Sequence, residues 1–119
     1  MIADVREALQ AVLGPISEPV LLILLSLAAQ PRHGYAILKD VELLSDGRVQ
    51  LSTGTLYGAL QRLLHSRWIE KVAEENASRG RQAYRLSSNG RRHLQAEVAR
   101  MKHLSRVAAT RLAESEAKA

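Results

Sequence analysis

The feature that most constrains this chain is an almost wholly apolar run of eleven residues, PVLLILLSLAA, at positions 19–29. A membrane-spanning helix needs about 20 apolar residues, so this run is too short to cross a bilayer. The residues before it include Asp4, Glu7 and Glu18, whereas a signal peptide carries a basic flank. We therefore interpret the run as a buried helix and expect no membrane partner.

The core of the protein has to be aliphatic, because aromatic residues make up only 3% of the chain and Phe is absent. A core of Leu, Ile, Val and Ala favours helices. A chain of 119 residues fits one domain that folds without disulfides. The absence of Cys excludes thiolate nucleophiles and thiolate metal sites, and it fits a reducing compartment. We expect a cytoplasmic protein.

Changes of hydrophobic period divide the chain into five predicted helices and one hairpin. The helices are expected at residues 3–13, 17–30, 35–44, 52–66 and 89–113, with a frayed tail after the last. The hairpin is expected from strands at residues 68–72 and 81–86, joined by a charged tip. His33-Gly34 is predicted as a turn, and residues 49–51 are a candidate edge strand.

Positive charge is concentrated in the middle third of the sequence. Residues 1–51 carry four Lys/Arg and six Asp/Glu, whereas residues 52–93 carry eight and three. Residues 94–119 carry five and three. The middle surplus of +5 equals the net charge of the whole chain. Because it coincides with a predicted helix and the hairpin, it favours a nucleic-acid partner over an ordinary solvated face.

The fourth predicted helix has one apolar face and one polar face that carries no acid. The apolar face contains Leu56, Ala59, Leu60, Leu63 and Leu64. The polar face contains Thr55, Gly58, Gln61 and Arg62. Gln and Arg can bind base edges through two hydrogen bonds, and Thr can touch thymine methyls or phosphates. This chemistry indicates a helix that reads double-stranded DNA, and the alternative is a solvated amphipathic helix.

Glycine on this helix supports the DNA interpretation. Glycine inside a helix costs roughly 1 kcal/mol relative to Ala, so a plain surface helix has little reason to keep Gly58. Gly54 and Gly58 allow another backbone to approach closely, and amides at the start of a helix can hold a phosphate. The predicted DNA contacts of this helix are Ser52, Thr53, Gly54, Thr55, Tyr57, Gln61 and Arg62.

The hairpin tip adds two arginines, Arg79 and Arg81, on either side of Gly80. A wing of this kind inserts an arginine into the minor groove or lays it on a phosphate. The alternative is a turn that only improves solubility. With the preceding helix, the tip predicts a mainly α fold with a small β-hairpin, the winged helix-turn-helix.

Five sequence pieces carry a specific resemblance. They are HGYAI at 33–37, STGTLY at 52–57, LQRL at 60–63, RQAYRLS at 81–87 and NGRR at 89–92. In this order and spacing, they resemble the PadR family of transcriptional regulators over roughly residues 17–95. The short C-terminal region resembles the smaller subgroup of that family.

The resemblance implies a homodimeric regulator, usually a repressor, on a palindromic operator. It divides the chain into an N-terminal helix (1–14), a winged helix-turn-helix domain (15–87) and a C-terminal dimerisation helix with a frayed tail (88–119). In such proteins the C-terminal helix packs against the partner's N-terminal helix. The apolar stripe expected to do so contains Leu94, Val98, Met101, Leu104, Ala108 and Leu112. The alternative is that this stripe packs on its own domain.

Two positions depart from the family pattern. Gly58 stands where relatives often have Pro, and Arg67 stands where a turn usually has Gly. Arg67 is therefore expected in the left-handed conformation. Gly58 is expected to change how the recognition helix sits on DNA.

Trp68 is interpreted mainly as a core residue. The sharper alternative is one wall of an effector pocket, because relatives bind flat aromatic compounds near the dimer interface. We expect no enzyme activity, since no nucleophile–base pair or phosphate-binding glycine loop is present. The four His lack metal-ligand spacing, so no metal or cofactor is expected. The alternative function is a winged helix that binds an acidic protein instead of DNA.

Overall fold

The apolar run folds as a central helix, α1, Glu18–Ala29. The computed structural model describes residues 16–73 and 81–118. Ile23 and Leu24 in α1 are 0% exposed, so the interpretation as a buried helix is confirmed. No helix within the described ranges is long and apolar enough to cross a membrane.

Six further elements complete this part of the chain. They are β1 (Arg32–His33), α2 (Gly34–Leu44), α3 (Thr53–His65), β2 (Ile69–Val72), β3 (Ala83–Leu86) and α4 (Ser88–Lys118). The predicted third and fourth helices and both hairpin strands are confirmed to within two residues. The predicted N-terminal helix at residues 3–13 lies outside the described residues.

Two arginines from other elements close the C-terminal end of α1. Arg32 Nε donates a hydrogen bond to the carbonyl oxygen of Ser26 (2.9 Å), and Arg91 Nη2 donates to that of Ala28 (3.2 Å). The last carbonyls of a helix have no partner within the helix, and a cation there also interacts well with the helix dipole. Because Pro31 lacks an amide hydrogen, α1 cannot continue past this point.

The sheet is antiparallel and has the strand order β1-β3-β2. Its outer strand on one side is Arg32–His33, which pairs with Tyr84 and Ala83. The prediction of an edge strand at residues 49–51 is therefore wrong, as is the turn at His33. A two-residue strand carries no alternating pattern, so its pairing depends on where α1 delivers it beside β3. Residues 49 and 51 instead pack their side chains against the core.

The turn from α3 into β2 is held against the start of α4. Arg67 has a φ of 64°, which confirms its predicted left-handed conformation. The carbonyl oxygen of Trp68 accepts a hydrogen bond from the backbone N–H of Ser87 (3.0 Å). A Cβ added to Gly90 would lie 2.0 Å from that same oxygen, so this close approach requires glycine.

The last helix is longer than predicted. Ser87 caps it, since its Oγ accepts a hydrogen bond from Gly90 N (2.9 Å). The helix then continues to Lys118, so the predicted end at residue 113 is wrong, whereas the frayed tail stays a prediction. The sequence AESEAK at 113–118 consists mostly of strong helix formers and contains no Gly or Pro to stop the helix.

Glu97 connects α4 to Ile16, the first described residue. Its side chain is 5% exposed, and its carboxylate accepts hydrogen bonds from the backbone N–H of Ile16 (2.6 Å) and from Arg100 Nε. The hydrogen bond from Arg100, supported by that from Ile16, lowers the pKa of Glu97 below its ordinary value of 4.5. The ionised carboxylate therefore stabilises the fold.

Glu97→Gln is expected to lower the free energy of unfolding at neutral pH by on the order of 1 kcal/mol, because the charge-assisted bonds are lost. A lowered pKa stabilises the fold above the ordinary value of 4.5, and this stabilisation disappears as the pH falls through the folded-state pKa. The difference between variant and wild type should thus shrink from pH 7 to pH 3 in urea unfolding. Glu116→Gln on the exposed end of α4 is the control. A difference that stays constant with pH would contradict this account.

Candidate nucleic-acid interface

The N-terminus of α3 is fixed by a local pair of hydroxyls. Ser52 Oγ accepts a hydrogen bond from the backbone N–H of Thr55 (3.1 Å) and donates one to Thr55 Oγ1 (2.9 Å). Ser52 therefore uses its hydroxyl hydrogen within the chain. Thr55 accepts that bond and keeps its own hydroxyl hydrogen, which can be donated to an acceptor outside the chain.

The two faces of α3 separate as the sequence predicts. On the apolar face, the exposed fractions are 0% for Leu56, 1% for Leu60 and 6% for Leu63. The polar face is at the surface. Its exposed residues are Ser52, Thr53, Gly54, Thr55, Tyr57, Gln61 and Arg62. All seven predicted helix contacts are therefore accessible at the surface of the molecule.

Arg62 supplies a cation to this face of α3. It is exposed, and no carboxylate within residues 16–73 or 81–118 forms an ion pair with it. Arg48 and Arg85, by contrast, pair with Glu18 and Glu70. Since a paired arginine has already lost part of its attraction for an anion, Arg62 is better suited than these two to bind a nucleic acid.

Tyr57 has a packing role that the sequence prediction missed. A Cβ added to Gly34 would lie 2.5 Å from Tyr57 Oη and 3.0 Å from Cζ, so the tyrosine ring lies against the start of α2. Burial, and to a smaller extent the nearby Tyr57, raises the pKa of Tyr84 in β3 above 10.0. Tyr57 thus joins α3 to α2 and lies near β3. Gly34 and Tyr57 stand in separate motif pieces, and only the fold brings them together.

The base of the hairpin is held by Gln82. Its Nε2 donates hydrogen bonds to the carbonyl oxygens of Val72 (3.0 Å) and Ala83 (2.8 Å), which bridges the two strands. Arg81, directly before this residue, is exposed. Arg79, the other predicted wing contact, lies outside the described residues.

Trp68 is 8% exposed, and its ring stacks on that of His93 at a centroid distance of 4.5 Å and an angle of 15°. This burial agrees with its interpretation as a core residue. The assignment of Trp68 to the wall of an effector pocket stays a prediction.

The predicted dimerisation stripe of α4 divides into two parts. Leu94 is 6% exposed, and Val98 packs partly against the core of its own domain. Beyond Met101 the helix is exposed on all sides, with 48% exposure at Leu104 and 65% at Leu112. The alternative of packing within the domain therefore applies to the first part of the stripe, and the second part remains uncovered by the described chain.

Comparison with protein families gives one assignment. The model of the transcriptional regulator PadR-like family matches residues 23–96, which run from the middle of α1 through β3 into the first turns of α4. A curated relative is 40% identical over 85 residues, an uncharacterized 37.1 kDa protein in transposon TN4556 of Streptomyces fradiae. The match covers 71% of this chain but only 23% of that relative, so the chain spans about a quarter of its length.

Solved structures have the same fold. A PadR family transcription regulator from Clostridium difficile R20291 is 26% identical, with a TM-score of 0.66 over 81% of this chain and 99% of the other. Bacillus subtilis PadR in complex with operator DNA is 18% identical, with a TM-score of 0.55 over 64% of this chain and 44% of the other. At 18% identity the second likeness concerns the fold alone.

Gly34→Ala is expected to displace the Tyr57 ring, which is 38% exposed, and to lower the free energy of unfolding by on the order of 1 kcal/mol. Thermal or urea unfolding measures this loss. In a Tyr57→Ala background the same change should be nearly neutral, which a double-mutant cycle detects. Gly54→Ala is the matched control, since nothing lies within 4 Å of the added carbon. Equal losses in both backgrounds would show that Tyr57 is not the cause.

Proposed function

The chain belongs to the PadR-like family of transcriptional regulators, and we propose that it represses transcription as a homodimer bound to a palindromic operator. The observation that carries this proposal is the exposed, acid-free face of α3. Membership in a family of DNA-binding regulators agrees with the prediction that the chain is not an enzyme. The relative from Bacillus subtilis was solved with operator DNA, and we extend that ligand class to this chain.

The proposed roles follow from the chemistry of each group on α3 and the wing. Arg62 and Gln61 read base edges in the major groove, because each can form two hydrogen bonds to one base. Thr55 donates its remaining hydroxyl hydrogen to a phosphate or base acceptor. Arg81 holds the phosphate backbone beside the hairpin, with Arg79 as its proposed partner in the wing. The DNA backbone is proposed to lie against the start of α3, where it would contact Ser52, Thr53, Gly54 and Tyr57.

The uncovered half of α4 supports the dimer proposal. Leu104, Val107 and Leu112 are 48%, 41% and 65% exposed, and a second chain would remove this apolar surface from water. The occupant we propose is the partner's N-terminal segment, predicted as a helix at residues 3–13. At 1.5 Å per residue such a helix is about 16 Å long, which matches the stretch from Met101 to Leu112.

A two-fold dimer would explain how the recognition helices reach DNA. Symmetry repeats α3 once per protomer, and two such helices read half-sites about 34 Å apart in successive major grooves. A palindromic operator is the DNA counterpart of this symmetry. A small hydrophobic or aromatic effector that binds near Trp68 is a further proposal. Titration of such compounds while following the fluorescence of this single tryptophan would detect it.

The wild-type protein is expected to protect a palindromic site in DNA from its own promoter region, with affinity that falls steeply as salt rises. Arg62→Ala and Gln61→Ala should relax base preference, whereas Arg81→Ala should weaken all sequences alike. DNase footprinting and fluorescence anisotropy measure these effects.

Arg85→Ala is the charge-matched control, because Arg85 already pairs with Glu70 (3.3 Å). We expect a smaller loss of affinity for it than for Arg81→Ala. Absence of protection at low salt would contradict the proposal. Recovery of one stoichiometric acidic protein without any DNA affinity would instead favour the protein-interaction module.

Leu104→Glu and Leu112→Glu are expected to convert the dimer to a monomer, because a buried unpaired carboxylate at the interface is strongly unfavourable. Analytical ultracentrifugation measures the change. The fold of each protomer should persist in circular dichroism, since both side chains are exposed in the isolated chain. Leu43→Glu on α2 is the matched control, with 74% exposure outside the stripe. A dimer that survives both α4 changes would rule out this interface.

A further inference from the structure

Gly58 lies inside α3 although neither its backbone nor its packing within the described residues requires glycine. It does not adopt a positive φ. An added Cβ would meet a single side-chain atom within 4 Å, Arg62 Nη1 at 3.7 Å, which is an ordinary van der Waals contact. The space around position 58 therefore admits a small residue, glycine or alanine, next to the Arg62 side chain. Glycine within a helix costs roughly 1 kcal/mol relative to Ala.

The contact with Arg62 indicates a role for the missing side chain at position 58. Side chains in a helix lean towards its N-terminus, so a residue covers the surface one turn before it. Arg62 accordingly lies back along α3, with its guanidinium beside the bare backbone of Gly58. A large side chain at position 58 would occupy that space and push the guanidinium away from the helix surface.

The neighbouring residues leave this guanidinium available to a ligand. Arg62 is exposed and forms no ion pair with any carboxylate in the described ranges. Thr55 precedes Gly58 by three residues on the same side of α3, and its hydroxyl hydrogen remains free to donate. Along this side of α3, the hydroxyl of Thr55 is thus followed by the bare backbone at Gly58 and then by the guanidinium of Arg62.

We propose that Gly58 is a positioning residue for base recognition, because the absence of a large side chain there leaves open a seat, the space beside its backbone, from which Arg62 reaches a guanine. Guanine presents two acceptors, O6 and N7, in the major groove, and the planar guanidinium matches both at once. Such recognition depends on the orientation of the guanidinium, and the open seat leaves it room to lie along α3. The inference rests on the proposed DNA-binding function and adds Gly58 as the residue that positions the base-reading arginine.

The test uses the full chain and an operator selected by the wild-type protein from random DNA. Competition with operators changed at each position measures base discrimination. Arg62→Ala should reduce discrimination at one guanine by about ten- to a hundredfold, the range for a bidentate pair. Gly58→Leu and Gly58→Gln should reduce it at the same position. Combining Gly58→Leu with Arg62→Ala should add no further loss there.

Two controls distinguish a change in the position of Arg62 from a loss of protein stability. Gly58→Ala adds a carbon that fits at 3.7 Å from Nη1, so it should keep the guanine preference. All Gly58 variants should melt at or above the wild-type temperature, because each replacement has a higher helix propensity than glycine. As an independent probe, 7-deazaguanine at the same operator position removes the N7 acceptor. It should weaken binding by the wild type and Gly58→Ala but leave binding by Gly58→Leu nearly unchanged.

Three results would overturn the assignment. Retained guanine preference in both Gly58→Leu and Gly58→Gln would show that Arg62 needs no seat. A uniform loss across all sequences in Arg62→Ala would show that Arg62 binds phosphate instead of guanine. If the wild-type protein selects no DNA sequence at all, the proposed function fails together with this inference, whereas the first two results leave DNA binding intact.

Discussion

α1 is apolar on nearly every side, and a helix without a polar face has to be covered all round. α2, β3 and α4 provide most of this cover, so Ile23 and Leu24 are fully buried, whereas Leu25 remains 36% exposed. α3 packs next to this group against α2 and β2. Because its leucine face is used in that packing, the polar face of α3 is the one left at the surface. The burial of α1 thus decides indirectly which side of α3 a ligand can reach.

A second constraint joins the recognition helix to the long C-terminal helix. The turn that ends α3 places the Trp68 carbonyl where only glycine fits at position 90. Ser87 reinforces this corner, since its Oγ donates a hydrogen bond to the carbonyl oxygen of Arg67 (2.7 Å). His93 stacks on the Trp68 ring one turn further along α4. α3 and α4 are therefore joined through a short, closely packed connection.

Local contacts also decide which charges of the basic middle region remain available. Arg85 and Arg91 are occupied by Glu70 and the end of α1, whereas Arg62 has no acidic partner among the described residues. A count of charges along the sequence treats these arginines alike. Their different surroundings explain why the proposed reading of DNA depends on only a few of them.

The sequence by itself determined the features that arise from neighbouring residues. Helical periodicity located α1, α2 and α3 and separated the two faces of α3, because side chains three and four residues apart share a face. The left-handed Arg67 was predictable from the resemblance, because this turn usually has Gly in the family. The motif pieces identified the family, whose model covers residues 23–96.

The tertiary structure alone decided what depends on residues far apart in the chain. It placed β1 beside β3, seated Tyr57 against Gly34 and divided the α4 stripe into a buried and an exposed part. None of these leaves a local pattern, because a two-residue strand has no period and an apolar residue does not record which surface covers it. For the same reason, the sequence marked the apolar run as buried, and only the fold showed which elements bury it.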